Sequence, residues 1–537
     1  MLMMSTLAFD GQVNFLTAAI GVLAIWLSYK LTIYFRRRVH STPLEGPPNP
    51  SWLLGIGHII SDSQDAGLIY EQWAQTYGSV YKVPAALGVS RVILCDPKAI
   101  SHFYSRETFG YVRTEVTKRS IENTVGRGVL WAEGDSHKRQ RKSLSPAFSN
   151  VAVRALTPIF FDSAYKIKSA WDSMIQSESG DSAIIEVQSW MNHLSLDSIG
   201  IAGFSHDFGT LHGRHSAVGE LFGAFGMLKP TFLNTATFVV GLVFPILTRA
   251  PTQFRVLVKR LNTIMGEVGE ELLNNIQKES QTGVKIDDKS IIGLLIKAES
   301  GSADSSQLSR DEMKTLIFAG FESTSISLTW ALVELCRHPE VQTKLREELS
   351  QFSSSDPSWD QLMNGLPYLD AVFHENLRHH PPVGETTRVA TADDVLPLSI
   401  PFRTPAGAVV DHVAVSKGQA ITVPIHCMNR SCEFWGPDAK KFDPERWLCP
   451  DGLPKRAQDI QGHRHLLSFV DGPRTCLGRG FAQAEFKAVL SVMVRHYAFE
   501  FKDGPDTKVK TVRGLLPRPS VVGELGAKVS LRVRPLL

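Results

Sequence analysis

Residues 469–478 read FVDGPRTCLG and place a single cysteine, Cys476, in a short loop of glycine, proline and arginine. Gly472 and Gly478 flank it, and Pro473 stiffens the turn. The stretch that follows, GRGFAQAEFKAVLSVMVRHY, has the spacing of an amphipathic helix. Cys476 therefore stands at or just before a helix N-terminus, where backbone N–H groups and the macrodipole favour a thiolate over a thiol. With no second cysteine or histidine ligand beside it, such a thiolate suits a single axial bond to a haem iron. The glycines let the backbone pass close to a flat macrocycle. Phe469 is placed to cover the sulfur and Arg474 to reach a haem carboxylate. The competing reading is an inert cysteine buried in a turn, the natural one for Cys95 or Cys336.

A second stretch with chemical content is LSRDEMKTLIFAGFESTSISLTWALVELCRHPE. Ser309 and Glu312 have the spacing of a capping box, and His338-Pro339 ends the run. The helix expected from Arg310 to Arg337 is about 42 Å long, enough to cross a domain. At its middle, Ala319 and Gly320 remove bulk. Ser323 and Thr324 are spaced to bond back to carbonyls three or four residues earlier, which loosens the helix locally. Glu322 beside these hydroxyls makes a candidate proton-delivery station, with Glu322, Ser323 and Thr324 as its members. The plainer alternative is a core helix with a small-residue crossing. In YLDAVFHENLRHHPP, Glu375 and Arg378 lie three apart on a helix that Pro367 begins and Pro381 stops. An exposed pair of this kind is worth little. FDPERW supplies Arg446, a candidate third member of a buried ion network.

The elements that must position these residues read as mainly α with small β-sheets. Strand patterns occur at 78–96, at 418–426 and in AKVSLRV near the C-terminus. The polar stretch 277–307 reads as a surface loop around a short helix. The apolar segment 222–247 is either core or a patch that dips into a membrane. With 57 basic and 54 acidic residues in 537, the net charge of +3 is too balanced for a nucleic-acid binder. Six cysteines without a CxxC pair make no disulfide framework and suit a reducing compartment.

Residues 11–29 carry no charge, Trp26 and Tyr29 lie near one end, and Arg36, Arg37 and Arg38 follow. The run matches a bilayer core in length, and the positive-inside rule puts the rest of the chain in the cytosol. The basic residues follow the apolar run, unlike those of a cleaved signal peptide. The expected organisation is an anchor with its basic stop over 1–40, a proline-rich hinge over 41–52 and one catalytic domain over 53–537. On that topology Asn429, in the sequon Asn429-Arg430-Ser431, carries no glycan.

Taken together, the motifs resemble the cytochrome P-450 superfamily of haem-thiolate monooxygenases, over roughly residues 45–537. The family's ligand signature FxxGxRxCxG is matched at Phe469, Gly472, Arg474, Cys476 and Gly478. Its small-Gly-x-acid-Thr-Thr/Ser motif is matched by AGFEST with one change, its Glu-x-x-Arg by Glu375 and Arg378, and its Pro-x-Arg by Pro444 and Arg446. The order and spacing are also the family's. The resemblance implies haem b, with Cys476 as axial ligand and Arg474 and Arg388 directed at haem propionates. HKRQRK would cover the other carboxylate through His137 and Arg141, and Glu375, Arg378 and Arg446 would form a structural triad. Two positions depart from the pattern: His137 stands where tryptophan is usual, and Ser323 takes the place of the oxygen-activating threonine.

The expected function is insertion of one oxygen atom of O2 into a lipophilic small molecule. Terpenoids, polyketides, fatty acids and aromatic xenobiotics all fit, and the motifs are most similar to those of fungal microsomal members in secondary metabolism or xenobiotic oxidation. No nucleotide-binding GxGxxG unit is evident, so electrons would come from NADPH–cytochrome P-450 reductase, with cytochrome b5 as a second donor. The endoplasmic reticulum is the expected membrane, and Lys138, Arg139 and Lys142 the expected docking face. The rivals are a reductase-independent haem-thiolate isomerase or dehydratase, and a non-catalytic membrane-anchored haem-binding protein.

Overall fold

The helices that frame the site run in chain order as follows. They are α1 (Gly134–Leu144), α2 (Asn150–Ser177), α3 (Val187–Phe204), α4 (Ala217–Gly226), α5 (Gln253–Gln281), α6 (Arg310–Arg337), α7 (Pro367–His379) and α8 (Arg479–His496). The computed structural model describes residues 40–178, 181–227, 252–281, 310–449, 452–512 and 514–536, with Gly21, Ala24 and Ile291. The expected anchor over 11–29 and most of the apolar 222–247 segment lie outside the described residues.

Helix α6 occupies the span expected from its sequence, although Ser309 of the capping box lies outside the described residues. It is apolar and long enough to cross a membrane, yet 78% of its most apolar window is buried inside the protein, so it is a core helix. It packs most extensively on α3 and also touches α5, α7 and α8, while α2 lies along α8. Gly320 makes the closest crossing, since a Cβ there would lie 2.8 Å from Ile199 of α3. Pro367 opens α7 and Pro339 opens the short helix after α6, as the proline positions require. Gln277–Gln281, expected in a loop, belongs to the last turns of α5.

The strands form small sheets at the edge of this bundle. β1 (Val80–Pro84), β2 (Ser90–Leu94), β3 (Tyr111–Arg113), β5 (Thr386–Ala390) and β8 (Ala420–Val423) make one sheet in the order β1-β2-β8-β5-β3. β4 (Ala183–Glu186), β9 (Tyr497–Phe501) and β12 (Ser530–Pro535) make a second. Two hairpins complete the set, β6 (Asp394–Arg403) with β7 (Val409–Val415) and β10 (Val509–Val512) with β11 (Arg518–Val521). All three sequence-expected strand regions are present. The middle one stops at Val423, and Ile425–Met428 turns into a helix. Part of the proline-rich segment lies on the sheets: Thr42 N–H donates to the Ala414 carbonyl and Lys82 N–H to that of Glu45. Asn429 is fully buried, with its amide on Ser468 Oγ at 2.8 Å, so burial alone blocks glycosylation and the sequon says nothing of topology.

Candidate active site

The cysteine loop is held from both sides. Gly472 sits at φ +69, and a Cβ there would lie 2.3 Å from the Tyr104 carbonyl oxygen, so glycine is required. Gly478 has an ordinary φ of −84, with Phe148 the nearest protein neighbour of a Cβ there at 3.8 Å. Val470 is left-handed at φ 59, a costly place for a β-branched residue and a sign that its surroundings fix the loop. Cys476 N–H donates to the Phe469 carbonyl at 2.9 Å, which folds the loop back on itself just ahead of α8. The Phe469 ring packs near Phe373 and His463. The thiol is exposed, at a cavity of about 390 Å³ that Arg141, Phe148 and Arg479 also line. Burial of its surroundings pushes the Cys476 thiol up, against the Gly478 N–H, Arg141 and Arg479, which pull it down. The expected lowering by the helix start is therefore outweighed. Coordination to a metal would favour the thiolate.

A cluster of buried cations lies beside the loop. Arg474 donates to the Ala132 carbonyl at 2.6 Å and is paired with Glu133, while Arg113 Nη1 lies 3.4 Å from Glu133 Oε1. Arg388 Nε is 2.9 Å from Glu107 Oε1 but out of line for a hydrogen bond. Three guanidiniums thus face two carboxylates. The strand register sets Arg113 directly opposite Arg388, a like-charge pairing that is unfavourable alone. The Nε atoms of Arg388 and Arg474 are buried without hydrogen-bond partners. Burial, with Arg474 and Arg388 beside it, lowers Arg113 to about 9. Burial, with Arg474, Arg141 and Arg113 nearby, lowers His137 to about 3, so its ring is neutral. This excess of buried positive charge calls for an anion. The carboxylates of a haem whose iron meets the Cys476 sulfur fit both features. Lys138, Arg139 and Lys142 of α1 are exposed.

On α6 the side chains of AGFEST divide. Ala319 is exposed and Ser323 half-buried, which marks an open strip on a helix otherwise enclosed. Ser323 Oγ donates to the Ala319 carbonyl at 2.9 Å, the back-bond its sequence implies. Glu322 is fully buried. Its Oε1 accepts from Arg518 Nη2 at 2.9 Å, Arg518 Nε at 3.2 Å and the Leu516 N–H at 3.2 Å. Its Oε2 has no partner, and burial pushes the carboxyl up despite Arg518. Thr324 is not on the open strip. It is buried, and its hydroxyl turns with those of Ser195 and Ser198 toward Glu485 of α8.

Glu485 is wholly buried, and burial holds its carboxyl well above the usual range. Among the described residues it has no ion-pair partner. Burial therefore favours its protonated form in the folded protein, whereas the unfolded chain ionises it above about pH 4.3. Folding therefore takes up a proton, and this group's contribution to stability falls as pH rises above that point. Glu485→Gln keeps the shape and removes the titration. Thermal unfolding of the variant is expected to match wild type below about pH 4.3 and to occur at a higher temperature than wild type at about pH 8.

Glu375 and Arg378 of α7 are both fully buried, so the pair is not of the exposed kind that is worth little. Arg378 Nε and Nη2 donate to Glu375 Oε2 and Oε1, each at 2.8 Å. Arg446 Nε donates to Oε1 at 3.2 Å, the Asp443 N–H to Oε1 at 2.8 Å and Trp447 Nε1 to Oε2 at 2.9 Å. The remaining guanidinium hydrogens of Arg378 meet the carbonyls of Ala439, Asn429 and Lys441. The network joins α7 to the irregular segment leading to the cysteine loop. It touches nothing that reacts.

A helical bundle edged by small sheets, with a cysteine at the start of α8 and a nest of buried arginines, defines a haem-thiolate class of protein. Comparison with known proteins agrees. The cytochrome P-450 family model matches residues 45–522. Cytochrome P-450 monooxygenase claQ of Ampulloclitocybe clavipes is 56% identical, over 95% of this chain and 96% of its own. Cytochrome P-450 monooxygenase claP of the same fungus is 54% identical, over 97% and 98%. A ganoderic acid synthetase of Ganoderma lucidum is 30% identical, over 89% and 92%. The chain belongs to the cytochrome P-450 family. It is a haem-dependent monooxygenase, and the family's haem is held by a cysteine thiolate.

Arg113, Glu107, Glu133, Glu485 and Arg518 were not legible as site residues. Arg113 gains meaning only from its register opposite Arg388. Arg518 is a lone basic residue in LLPRPS with no local partner. Glu485 did leave a signal: it is the one acid in the Arg479–His496 helix.

Proposed function

We propose that this chain inserts one oxygen atom of O2 into a lipophilic small molecule, with Cys476 as the axial ligand of its haem. The accessible Cys476 thiol beside a buried, partly unpartnered arginine nest carries the reading. Arg113, Arg388, Arg474 and the neutral His137 would hold the haem carboxylates, and Arg141 would stand by the sulfur. Bound there, the thiolate-ligated haem supplies O2 activation. The chain supplies the rest. Phe469 shields the loop, the strip at Ala319 leaves room above the helix, and α3 and α8 exclude water from behind it.

Proton handling falls to Ser323 and Glu322. The Ser323 hydroxyl is on the open strip, and Glu322 Oε2 is the carboxyl oxygen that no protein donor occupies. Ser323→Ala is expected to leave the CO-difference spectrum and NADPH oxidation in place. Product should fall about 100-fold, the lower end of what positioned proton transfer provides, with peroxide released instead. Ser323→Thr should retain product formation, because the methyl fixes the hydroxyl's rotamer.

The electron donor in this reading is NADPH–cytochrome P-450 reductase, with cytochrome b5 as auxiliary, docking on Lys138, Arg139 and Lys142. Residues 1–40 anchor the chain in the endoplasmic reticulum, with the body cytosolic. Exposed Trp52 and Leu53, at the end of the proline-rich segment, support a membrane-facing edge there. The substrate class is a secondary metabolite such as a terpenoid or polyketide, or an aromatic xenobiotic. The name of one relative, the ganoderic acid synthetase of Ganoderma lucidum, favours the biosynthetic side. Reconstitution with the reductase under ¹⁸O2, across terpenoid, polyketide and aromatic panels, tests the whole reading. Label in product supports it. NADPH-independent turnover would favour the isomerase instead.

A further inference from the structure

The chain reaches the cysteine loop through a strained segment. Arg464, His465 and Val470 all stand in the left-handed region, at φ 54, 61 and 59. Residues other than glycine persist there only where their surroundings hold them. Gly462, at φ 137, opens the segment where a Cβ would lie 2.4 Å from the Leu466 carbonyl oxygen. The later half is tied to the interior. Asn429 Oδ1 accepts the Leu467 N–H at 3.0 Å, and Ser468 Oγ donates to the Leu377 carbonyl at 2.7 Å. The earlier half has less. Among the described residues, its hydrogen bonds and ion pairs to a neighbouring helix are the His463–His374 bond, Nε2 to Nε2 at 3.4 Å, and a contact of 4.0 Å between Arg464 and Asp370.

Both partners of the His463–His374 bond are imidazole nitrogens, so its proton count is restricted. His374 Nδ1 lies 2.8 Å from the Asp370 carbonyl and 3.3 Å from Asp370 Oδ2, and both are acceptors. His374 Nδ1 therefore carries a proton. With both rings neutral, His463 Nε2–H donates to His374 Nε2. With one ring charged, a single proton still fills the gap and makes the bond. With both charged, two N–H groups face each other and the bond is lost. Asp370 of α7 favours the second charge, but it is already paired with Lys487 of α8 at 2.7 Å and bonded by Gln483 Nε2 at 3.3 Å. Burial opposes that charge, as do His374, Arg479 of α8 and the neighbouring Arg464, and together they lower His463 to about 4. The pair also reaches the site. The His463 ring meets Phe469 edge-on at 6.1 Å, and the Phe469 carbonyl accepts the Cys476 N–H. Both imidazoles line the cavity on which the thiol opens.

We propose that the His374–His463 pair is a clasp that holds the strained approach to the cysteine loop closed while the two rings carry at most one charge, which makes His463 a positioning residue for Cys476. The positioning role rests on the reading given under Proposed function, whereas the clasp itself does not depend on haem. Once the segment opens, His463 meets water and titrates near its ordinary value of about 6.5. Opening therefore takes up a proton between about pH 6.5 and about pH 4, and acid favours it. At about pH 5.5 the opening equilibrium is expected to stand about tenfold above its value at about pH 7.5. The loop's hold on its metal thereby becomes sensitive to acid through a residue that does not touch the sulfur.

Hydrogen–deuterium exchange on the full-length protein tests the clasp, followed on the peptide spanning 460–477 and corrected for the intrinsic pH dependence of amide exchange. Wild type should show the rise of about tenfold between about pH 7.5 and about pH 5.5, equivalent to about 1.4 kcal/mol in local opening. His463→Gln should keep wild-type protection at about pH 7.5, because its amide donates or accepts as His374 requires, and should lose the rise on acidification. His463→Phe keeps a ring against Phe469 without the bond, so its segment should exchange about tenfold faster than wild type at about pH 7.5. The reduced, CO-bound spectrum then reads the loop. At about pH 5.5 wild type should lose its thiolate-type Soret band about tenfold faster than His463→Gln. Wild-type opening that ignores pH, or a rise retained in His463→Gln, overturns the clasp. Opening that follows pH while both proteins keep the thiolate band equally well overturns the positioning role. Global unfolding of His463→Phe leaves the decision to His463→Gln. If wild type gives no thiolate-type spectrum, the haem reading fails while the exchange result still decides the clasp.

Discussion

Cys476→Ala is expected to abolish the red-shifted Soret band of the reduced, CO-bound protein and to reduce monooxygenase activity to background. The sulfur sits where a macrocycle can reach it, at the end of a loop whose backbone is fixed independently of the side chain. The Cys476 N–H to Phe469 carbonyl bond and the close approach of Gly472 to Tyr104 both survive the substitution. The apoprotein should therefore fold, with stability within about 0.5 kcal/mol of wild type, as for a substitution away from the core. No other described cysteine substitutes. Cys95, Cys336 and Cys427 are buried in the core, and Cys432, which begins a short helix, and Cys449 are exposed elsewhere in the chain. Cys476→Ser should behave like alanine, because a hydroxyl stays protonated where even the thiol is pushed upward by burial. The same burial predicts that haem capture releases a proton from the wild-type loop and strengthens as pH rises toward the thiol's range. A haem titration of apoprotein across pH, read by the Soret band, measures this. Undiminished thiolate character in Cys476→Ala would transfer the ligand role elsewhere and remove the basis of the proposed site.

What could be read from the sequence follows from how local each signal is. The Arg310–Arg337 helix and the helices bounded by Pro367 and by the cysteine loop depend on periodicity and on proline positions, which are local, and the described elements agree with them. The direction of side chains around α6 was not local. Ser323 and Thr324 are adjacent and chemically alike, but a 100° turn sends one to the open strip and the other to Glu485. The balance of forces on a titrating group was not local either. The helix start lowers the Cys476 thiol as its position implies, but the burial that outweighs it comes from elements distant in sequence. Arg113 and Arg518 acquire their partners through sheet register and hairpin packing, and no spacing rule within the chain records those.

Glu375→Gln should prevent accumulation of folded holoprotein, even though the same change at Glu485 should stabilise it at alkaline pH. Both carboxyls are completely buried, so burial does not separate them. Their surroundings do. Glu485 faces hydroxyls, which accept or donate as required, and a neutral amide satisfies them. Glu375 is met only by donors: two from Arg378, one from Arg446, one from Trp447 and the Asp443 N–H. An amide there turns its own N–H2 toward one of these groups and leaves the Arg378 guanidinium without a counter-charge, while Arg446 keeps Asp438. Removing one partner of a buried pair costs about 3–5 kcal/mol, a large part of the 5–15 kcal/mol that holds a typical protein folded. Arg378→Leu should also be costly, since it removes two of the carboxylate's donors and leaves Arg446 as its one counter-charge. The double variant Glu375→Leu with Arg378→Leu should lose less than the two single costs combined, because no charge is left unpaired. The pH dependence runs opposite to that of Glu485. The guanidiniums of Arg378 and Arg446 hold Glu375 below the usual carboxylate range against its burial. Its contribution is therefore complete above about pH 4.3 and is lost as pH falls through the lowered folded value. Chemical denaturation of the apoprotein at about pH 7, beside the yield of CO-binding protein, measures both variants. Wild-type yield and stability in Glu375→Gln would mean that the network is ornamental and that the cysteine loop holds its place without it.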